Sequence, residues 1–432
     1  MGYEEARGHL DALGIDAMKS LSPSLHRIEA MCDAMASPQR SFPSIHITGT
    51  NGKTSVAAIT SALLREIGLN VGTFTSPHLH TVRERISLNG EPIPEAAFGE
   101  VFDHLKPYLE QTEARLGERL SYFETLVGMF FLWAGDQPVD VAVVEVGLGG
   151  RWDATNVMDG TVAVLTNVAL DHTAMLGGDR VTIAKEKSGI VKAGAVVVTG
   201  ERSPDVLQVI GEAADGAHAT LASLDKDFGV VSNLIAVDGR AVSIRTRARD
   251  YEDLFLPLHG AHQGTNAAIA LEAVTSFLPE ESLEDDVVAA GFASAHVPGR
   301  MERINRIILD VAHNPTGASA LVGSLVEEFS PDQVLFVVGV LDDKDHVGIM
   351  TELARLPARI IATRAKSDRS RDPRDLLRAA EELGLPASLE ESVSSAMELA
   401  VREVGDVLVC VTGSHYVVGE ARAYLLASSG RK

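Results

Sequence analysis

The sequence predicts an α/β protein with two doubly wound domains, and three observations support this class. Apolar runs rich in Val, Ile and Ala recur along the chain, with helical patterns between most of them. Such runs are typical of parallel strands that are covered on both faces. The first of these runs enters a glycine-rich loop that leads into a helix. The alternation also breaks at residues 294–304 and then restarts.

The first domain is predicted to comprise residues 1–296. Residues 1–40 contain two polar helical patterns, the second of them from Ser22 to Met35. The predicted strands of a parallel sheet are SIHIT (44–48), NVGTFT (70–75), VDVAVVEVG (139–147), TVAVLTNV (161–168) and AVVVTG (195–200). Residues 232–260 alternate and contain an Asp-Gly turn, which predicts a small antiparallel hairpin. Residues 262–278 then follow a helical pattern.

The second, smaller domain is predicted to comprise residues 297–432 and to be Rossmann-like. It follows a Pro-Gly pair at 298–299, which is a typical linker sequence. Its predicted strands are RIILDVA (306–312), QVLFVVGV (333–340), ARIIATR (358–364) and DVLVCVTG (406–413), with helices between them. A chain of 432 residues is too long for one typical core, so two domains agree with its length.

Composition and charge indicate which classes of molecule this protein is expected to bind. The chain has 38 Lys and Arg against 60 Asp and Glu, a formal net charge of −22, which argues against nucleic acid as a partner. Two cysteines are too few for a disulfide framework. The polar start lacks an apolar signal core, and no apolar run is long enough to span a membrane. We expect a cytoplasmic monomer that acts on small molecules and does not bind membranes.

The glycine-rich stretch TGTNGKT (48–54) follows the first predicted strand and opens a helix. These are the parts of a P-loop, so we expect a P-loop ATPase-like domain. The backbone N–H groups would hold phosphate at the helix N-terminus, Lys53 would reach the outer phosphates, and Thr54 would face Mg²⁺. The strict pattern requires a glycine where Ile47 stands. The alternative is a glycine-rich turn with an incidental lysine.

Polar side chains follow several of the predicted strands. Glu145 ends one strand, Asp171 and His172 lie just beyond the next, and Ser76 follows an earlier one. Open α/β sheets bind ligands at the carboxyl ends of their strands, and carboxylate and hydroxyl oxygens suit Mg²⁺. The alternatives are a carboxylate that is satisfied by strand-end amides and a structural histidine. The glycines after Glu145 lack the spacing of a dinucleotide fingerprint.

The second domain repeats this arrangement. Asp310, His313 and Asn314 follow one predicted strand, and Ser414 and His415 follow the last one. The preceding Pro-Gly linker carries an arginine at position 300, whose planar guanidinium suits phosphate oxygens.

These residues resemble the motifs of the folylpolyglutamate synthases and dihydrofolate synthases, members of the Mur ligase superfamily. The matching stretches cover nearly the whole chain in order: TGTNGKT, TSPHL with ERI, SYFETL, EVGLGGRWDATN, TNVALDHTAMLG, IAKEKSGIVK, HQGTNAA, PGRMERI and DVAHNP. The resemblance implies an ATP-dependent ligase that forms an acyl phosphate on a substrate carboxylate and then an amide with L-glutamate. It also implies ATP as co-substrate and two Mg²⁺ ions.

The resemblance carries roles over to individual positions. It implies ATP contacts at Gly49, Thr50, Asn51, Gly52, Lys53, Thr54, Asn266, Arg300 and Asp310, and metal ligands at Thr54, Ser76, Glu145 and His172. It implies catalytic roles for Lys53, His172, Lys187 and His313, with Lys187 carbamylated. It implies a folate or pterin site at Phe123, Glu124, Trp152, Asp153 and Ala154, and a glutamate site at Ser414 and His415. Without the resemblance, residues 184–194 would be interpreted as a solvated charged helix face.

Three departures from the family concern the acceptor side and the loop. Trp152 stands where leucine is more common, Ser55 follows Thr54 where many relatives have a different run, and residues 20–40 match poorly.

The alternatives to this function are a cell-wall Mur ligase, a small-molecule kinase and a non-catalytic nucleotide-binding relative. A cell-wall ligase would need a further domain ahead of the loop. The sequence leaves open whether dihydropteroate, folates or both are the acceptors, and we expect a bifunctional enzyme.

Overall fold

The structure is a computed structural model that describes residues 2–14, 24–278, 283–405 and 407–429. Its backbone separates into two compact units. The first contains residues 1–232, 243–254 and 265–295, and the second contains residues 233–242, 255–264 and 296–432. The second unit therefore includes two short segments from the region of the predicted hairpin. The single boundary between residues 296 and 297 stays a prediction.

The first 223 residues alternate helices with strands. Their elements are α1 (Tyr3–Leu13), α2 (His26–Ala34), β1 (Ser44–Thr48), α3 (Lys53–Glu66), β2 (Val71–Phe74), β3 (Ile86–Leu88), β4 (Glu91–Pro92), α4 (Glu95–Leu116), α5 (Tyr122–Asp136), β5 (Val141–Glu145), β6 (Val162–Leu165), α6 (Thr173–Leu176), α7 (Arg180–Lys187), β7 (Val196–Thr199), α8 (Pro204–Gly216) and β8 (Thr220–Ser223). Ser22 and Pro23, the predicted start of the second helix, lie outside the described residues.

These strands form one eight-stranded sheet in the order β4-β3-β2-β5-β1-β6-β7-β8. The six strands from β2 to β8 are parallel, and β3 and β4 extend the sheet in antiparallel fashion. Strand β1 lies between β5 and β6, so the loops that leave these three strands emerge side by side. All residues of β1, β5 and β6 are buried, as expected for central strands between helices.

The predicted hairpin is wrong in its strand count. The region contains three strands, β9 (Gly229–Ala236), β10 (Gly239–Arg245) and β11 (Asp250–Leu256), in the order β11-β10-β9. The Asp-Gly turn does join β9 to β10, with Asp238 at a φ of 54°. A second turn at residues 246–249 then adds β11, because Thr246 exchanges backbone and side-chain hydrogen bonds with Arg249.

In its described residues, the rest of the chain contains seven helices and a second sheet. Its elements are α9 (Ala261–Phe277), α10 (Asp285–Ala293), β12 (Glu302–Ile304), β13 (Ile307–Leu309), α11 (Pro315–Phe329), β14 (Val334–Val338), α12 (His346–Leu353), β15 (Ala358–Ala362), α13 (Pro373–Glu382), β16 (Ala387–Leu389), α14 (Val393–Arg402), β17 (Leu408–Thr412) and α15 (His415–Ser429). The sheet order is β12-β13-β17-β14-β15-β16. Only the pair β12–β13 is antiparallel.

Each sheet contributes to separate apolar clusters. Side chains of α1, α2, α4 and α5 pack with those of β2 and β5 in the first unit, and α11 to α13 pack with β14 and β15 in the second. The α/β class with two largely parallel sheets is confirmed. Every predicted sheet strand is present, whereas β3, β4, β8, β12 and β16 were not predicted. Strand β8 has four residues and the other four have two or three each, which is too short for periodicity alone to identify them. Across the described residues, no helix combines the length and the apolar character that crossing a membrane requires.

Candidate active site

The glycine-rich loop in the stretch TGTNGKT (48–54), which we call the phosphate loop, connects the buried strand β1 to α3. Helix α3 begins at Lys53, directly after Gly52 at a φ of 84°. A Cβ on Gly52 would lie 2.7 Å from Asn266 Oδ1, and a Cβ on Gly49 would overlap Thr166 Oγ1. Close packing and positive φ values therefore require glycine at both positions. The loop leaves the first backbone N–H groups of a 14-residue helix available as an anion site.

The segment that follows β6 fixes the shape of this loop. The Asn167 side chain accepts a hydrogen bond from Asn51 N (3.0 Å) and donates one to Asn51 O (3.2 Å). Thr166 Oγ1 donates to the same carbonyl (2.6 Å), and Thr50 N donates to Asn167 O (2.9 Å). Thr166 and Asn167 were not predicted as site residues. Their position directly after a buried strand, beside the loop strand, is the signal that could have identified them.

Two lysines converge on one carbonyl of the loop. Gly49 O accepts a hydrogen bond from Lys53 Nζ at 3.1 Å and another from Lys187 Nζ at 2.9 Å. Lys187 is only 4% exposed. Burial, and then the positive charge of Lys53, lower the pKa of Lys187 from 10.5 to about 7, against the opposing effect of nearby carboxylates. The interpretation of Lys187 as part of a solvated helix face is therefore wrong.

Three of the predicted metal ligands contact one another. Thr54 Oγ1 donates to Glu145 Oε1 (3.1 Å) and Oε2 (3.2 Å), and Ser76 N donates to Glu145 Oε2 (3.2 Å). Glu145 is 1% exposed and lies at the end of β5. A hydroxyl and a carboxylate beside a phosphate loop are hard oxygen donors, so this donor set fits Mg²⁺.

His172, the fourth predicted ligand, lies at the start of α6 at a φ of 48°. Its backbone N donates to Asp171 Oδ1 (2.8 Å), and its Nε2 lies 3.9 Å from the same oxygen. Within the described ranges, no group of three or more His, Cys, Asp and Glu side chains could hold a metal ion. A second metal ion at His172 therefore stays a prediction.

The second unit contains five of the predicted site residues: Arg300 precedes β12, and Asp310, His313, Ser414 and His415 follow the adjacent strands β13 and β17. Arg300 Nη2 donates to His415 Nε2 (3.3 Å), and the rings of His313 and His415 lie 5.4 Å apart. The Asp310 carboxylate accepts from Met301 N and Ala312 N, both at 2.9 Å. Ser414 Oγ accepts from Val417 N at the start of α15.

The hydrogen bonds of this cluster fix the tautomers of its histidines. His313 Nδ1 lies 2.9 Å from the Val311 carbonyl, so Nδ1 carries the proton and Nε2 can accept one. Because a guanidinium only donates, His415 accepts through Nε2. His262 was not predicted as a site residue, although its HQGTNAA stretch was identified. It is partly buried, its desolvation lowers its pKa, and it is within electrostatic reach of Asp310 and Arg300.

A cavity of about 650 Å³ in the first unit brings together all five predicted folate residues. Its lining residues are Ser24, Arg27, Ser121, Phe123, Glu124, Leu148, Arg151, Trp152, Asp153, Ala154, Met175, Leu176, Thr182, Lys185 and Glu186. Aromatic and aliphatic surfaces thus alternate with charged groups of both signs. Such a lining suits a flat ring system with polar edges.

Two carboxylates of this cavity are already engaged within the protein. Glu124 receives hydrogen bonds from the backbone of Ser121 (2.8 Å) and from Arg27 Nε (3.0 Å). The buried Asp153 accepts from Thr155 N (3.0 Å) and Leu148 N (2.9 Å), and burial raises its pKa. Asp153 therefore shapes the cavity wall. Arg27 was not predicted, since it lies 97 residues before Glu124 in the chain.

Known proteins are similar to this chain in sequence and in structure. The sequence model of the Mur ligase glutamate ligase domain matches residues 299–415. A dihydrofolate synthase/folylpolyglutamate synthase of Mycobacterium tuberculosis is 39% identical, and the alignment covers 93% of this chain and 90% of that protein.

Solved structures are similar over the whole chain. The Mycobacterium tuberculosis folylpolyglutamate synthase complexed with ADP superposes with a TM-score of 0.92 at 38% identity, covering 98% of each chain. A folylpolyglutamate synthase complex with AMPPCP and folate has a TM-score of 0.86 at 30% identity, covering 99% of this chain and 100% of that one. The chain therefore belongs to the folylpolyglutamate synthase and dihydrofolate synthase family of ATP-dependent Mur ligases.

Proposed function

We propose that this protein uses ATP to join L-glutamate to the carboxylate of a folate or of dihydropteroate. One observation carries the proposal. Glu186 lines the 650 Å³ cavity, and the next residue, Lys187, contacts Gly49 of the phosphate loop. An acceptor in the cavity and a nucleotide on the loop would thus meet at adjacent residues of one helix.

The reaction has two steps in this assignment. The acceptor carboxylate attacks the γ-phosphorus of ATP, which forms an acyl phosphate and releases ADP. The amine of glutamate then attacks the acyl carbon, so that an amide forms and inorganic phosphate leaves. The α3 N-terminus would bind the phosphates, and Lys53 would offset the charge that develops during phosphoryl transfer. Mg²⁺ at Thr54, Ser76 and Glu145, with a second ion at His172, would neutralise phosphate oxygens.

Lys187 is proposed to act as a carbamate. Its pKa of about 7 leaves a substantial fraction as the neutral amine near neutral pH, and only that form adds to CO₂. The ammonium first loses a proton to solvent, and addition of the neutral amine to CO₂ then forms an N–C bond with loss of a second proton. Over both steps the cation becomes an anion with two acceptor oxygens. The Gly49 carbonyl holds the amine in place, and Lys53 would supply a counter-charge at the same carbonyl.

The cluster in the second unit is proposed to bind the nucleotide and the incoming glutamate. Arg300 and Asp310 would contact ATP, and His313 would act during catalysis. Ser414 and His415 would hold glutamate. The hydrogen bond between Arg300 and His415 supports a shared role, because it links a nucleotide residue to a glutamate residue.

The chemical identity of the acceptor is the more specific part of the proposed function. The related proteins with both synthase names and the solved complex with folate favour a pterin-containing acceptor over the nucleotide sugar of a cell-wall ligase. Three cations and three carboxylates line the cavity, namely Arg27, Arg151, Lys185, Glu124, Asp153 and Glu186. Equal numbers of positive and negative side chains suit an acceptor whose ring system carries no net charge. We keep the bifunctional activity, the cytoplasmic location and the monomeric state as predictions.

The test is a ligation assay with purified protein, ATP, Mg²⁺ and glutamate, with dihydropteroate and tetrahydrofolate as separate acceptors. We expect ADP release that requires both acceptor and glutamate, and a product that is heavier by one glutamyl residue. Product with both acceptors would establish the bifunctional enzyme. ADP release that depends on an acceptor without any need for glutamate would indicate a kinase instead.

A further inference from the structure

The loop after β5 and the end of α7 interlock through their backbones. We call residues 147–153 the wall loop, because most of them line the cavity, and residues 186–189 the α7 turn. A Cβ on Gly150 would lie 2.6 Å from Lys187 O, and a Cβ on Gly189 would overlap Arg151 Cβ. Two glycines on opposite sides thus bring the segments into direct contact. Neither segment can shift without moving the other.

Hydrogen bonds lock this contact. Glu186 O accepts from Arg151 N (2.9 Å), and Glu186 Oε1 accepts from Trp152 N (3.2 Å). The buried Asn156 donates from Nδ2 to both Arg151 O (3.0 Å) and Gly189 O (3.1 Å). The Glu186 side chain therefore lines the cavity and also holds the backbone of the one tryptophan in its wall.

The same two segments also hold the phosphate loop. Lys187 Nζ donates to Gly49 O (2.9 Å), and Thr48 Oγ1 donates to Gly149 O (2.6 Å). The wall loop, the α7 turn and the phosphate loop are consequently one hydrogen-bonded assembly. The distance from the cavity wall to the phosphate loop is thus set by a few short contacts.

We propose that Glu186 is a positioning residue, which fixes the Arg151–Trp152 wall so that a bound acceptor presents its carboxylate to the phosphate loop. This role rests on the proposed function of the cavity as the acceptor site. Glu186 acts here through Trp152 and is not assigned a contact with the reacting atoms. Misplacement of a reacting group by about 1 Å can cost on the order of 10²-fold in rate.

The first test measures the mobility and exposure of Trp152 in the wall loop and needs no substrate. The chain contains two tryptophans. Trp133 is buried in α5, whereas Trp152 is 49% exposed, so the Trp133→Phe background leaves Trp152 as the reporter. In that background, we expect Glu186→Ala to lower the fluorescence anisotropy of Trp152 and to increase its quenching by acrylamide. Glu186→Gln should preserve both values, since its amide oxygen can still accept from Trp152 N. Equal values in all three proteins would overturn the proposal.

The second test separates acceptor positioning from general damage. We expect Glu186→Ala to reduce kcat/KM for the acceptor by ~10- to 100-fold, while the KM for ATP and the melting temperature stay at the wild-type values. Glu186→Gln should recover most of the activity. Glu212→Ala, which removes an exposed glutamate of α8, serves as the matched control and should match the wild type.

The outcomes distinguish failure of the positioning role of Glu186 from failure of the proposed function. If the wild type ligates glutamate and Glu186→Ala is unaffected, or if its loss appears equally in the KM for ATP, the positioning role of Glu186 is wrong. If the wild type joins glutamate to neither acceptor, the proposed function fails and the acceptor role of the wall fails with it.

Discussion

At the scale of single residues, Gly49 O is the acceptor that brings Lys53 and Lys187 together. The two lysines differ in burial, and this difference gives them different chemistry. Lys53 is partly exposed at the first position of α3, where it is proposed to contact phosphate oxygens. Lys187 is buried, and burial lowers its pKa, so that more of it is the neutral amine near neutral pH.

We predict that Lys53→Ala abolishes ligation and leaves the fold intact. The side chain donates to the loop carbonyls Gly49 O and Thr50 O, and its proposed role is toward the developing charge on phosphate. Loss of one such preorganised donor typically costs ~10²–10³-fold in kcat. Steady-state kinetics and thermal melting measure the two effects.

Lys226→Ala is the matched control, since Lys226 is exposed in the turn that follows β8. It should behave as the wild type in both measurements. A Lys53→Ala protein with near-normal turnover and an unchanged melting curve would contradict the role of Lys53.

We predict that activity depends on CO₂ and falls as the pH drops below about 7, the pKa of Lys187. The amine must be neutral to add CO₂, so each pH unit below the pKa reduces the reactive fraction about tenfold. Turnover in CO₂-depleted buffer should decline and should recover with bicarbonate. Lys187→Ala should be nearly inactive and should regain partial activity with acetate.

The same pKa shift has a consequence for stability in CO₂-depleted buffer. Lys187 is neutral in the folded protein above pH 7, whereas the unfolded chain keeps the lysine protonated up to its ordinary pKa of 10.5. The unfolded state binds more protons between these values, so the contribution of Lys187 to the free energy of unfolding rises with pH across this window. The wild type should therefore gain stability relative to Lys187→Met from pH 7 to 10. A constant difference between the two would show that the pKa of Lys187 is not lowered.

At the scale of elements, the end of β6 supports the phosphate loop from the side. Thr166 and Asn167 make hydrogen bonds to the Asn51 backbone, so the shape of the loop is fixed by a neighbouring strand as well as by its own glycines. Preformed loops of this kind bind phosphate without a cost of ordering.

We predict that Gly49→Ala removes nucleotide binding and destabilises the protein. The new methyl group would overlap Thr166 Oγ1 at a position with a φ of 150°, and overpacking of this kind costs ~1–3 kcal/mol or more. Isothermal titration with ADP and urea unfolding measure the two effects.

Gly211→Ala provides the comparison, because Gly211 lies within α8 and a Cβ there meets nothing within 4 Å. Alanine is preferred to glycine inside a helix by ~1 kcal/mol, so this variant should be slightly more stable and should bind ADP normally. Normal ADP binding by Gly49→Ala would show that the loop can rearrange around the methyl group.

At the scale of the whole molecule, each unit has its own apolar clusters. We predict that Phe336→Ala destabilises the second unit selectively. Phe336 is fully buried in the middle of β14, and a change from phenylalanine to alanine in a core costs ~3–5 kcal/mol. Calorimetry should show part of the unfolding enthalpy moving to a lower temperature.

Trp133 is buried in the first unit and reports on its unfolding. In a Trp152→Phe background, the fluorescence transition of Trp133 should stay at the reference temperature in the Phe336→Ala variant. A single calorimetric peak that shifts as a whole, together with the Trp133 signal, would show that the two units unfold as one.

The sequence by itself determined the features that depend on neighbours along the chain. The central strands, the helix after the phosphate loop and the helix at Pro315 follow from local periodicity and capping, and the structure contains each of them. The sequence order of the motifs also determined the family, because each motif is a continuous stretch of residues.

Only the tertiary structure decided the features that depend on residues far apart in the chain. Gly49 O meets Lys187, 138 residues later, and the burial that lowers the pKa of that lysine comes from the surrounding fold. Arg27 lines the cavity and donates to Glu124, 97 residues later in the chain. Strand β11 pairs with β10, so the predicted hairpin is a three-stranded sheet. Desolvation and close packing are properties of the assembled interior, so local patterns cannot reveal them.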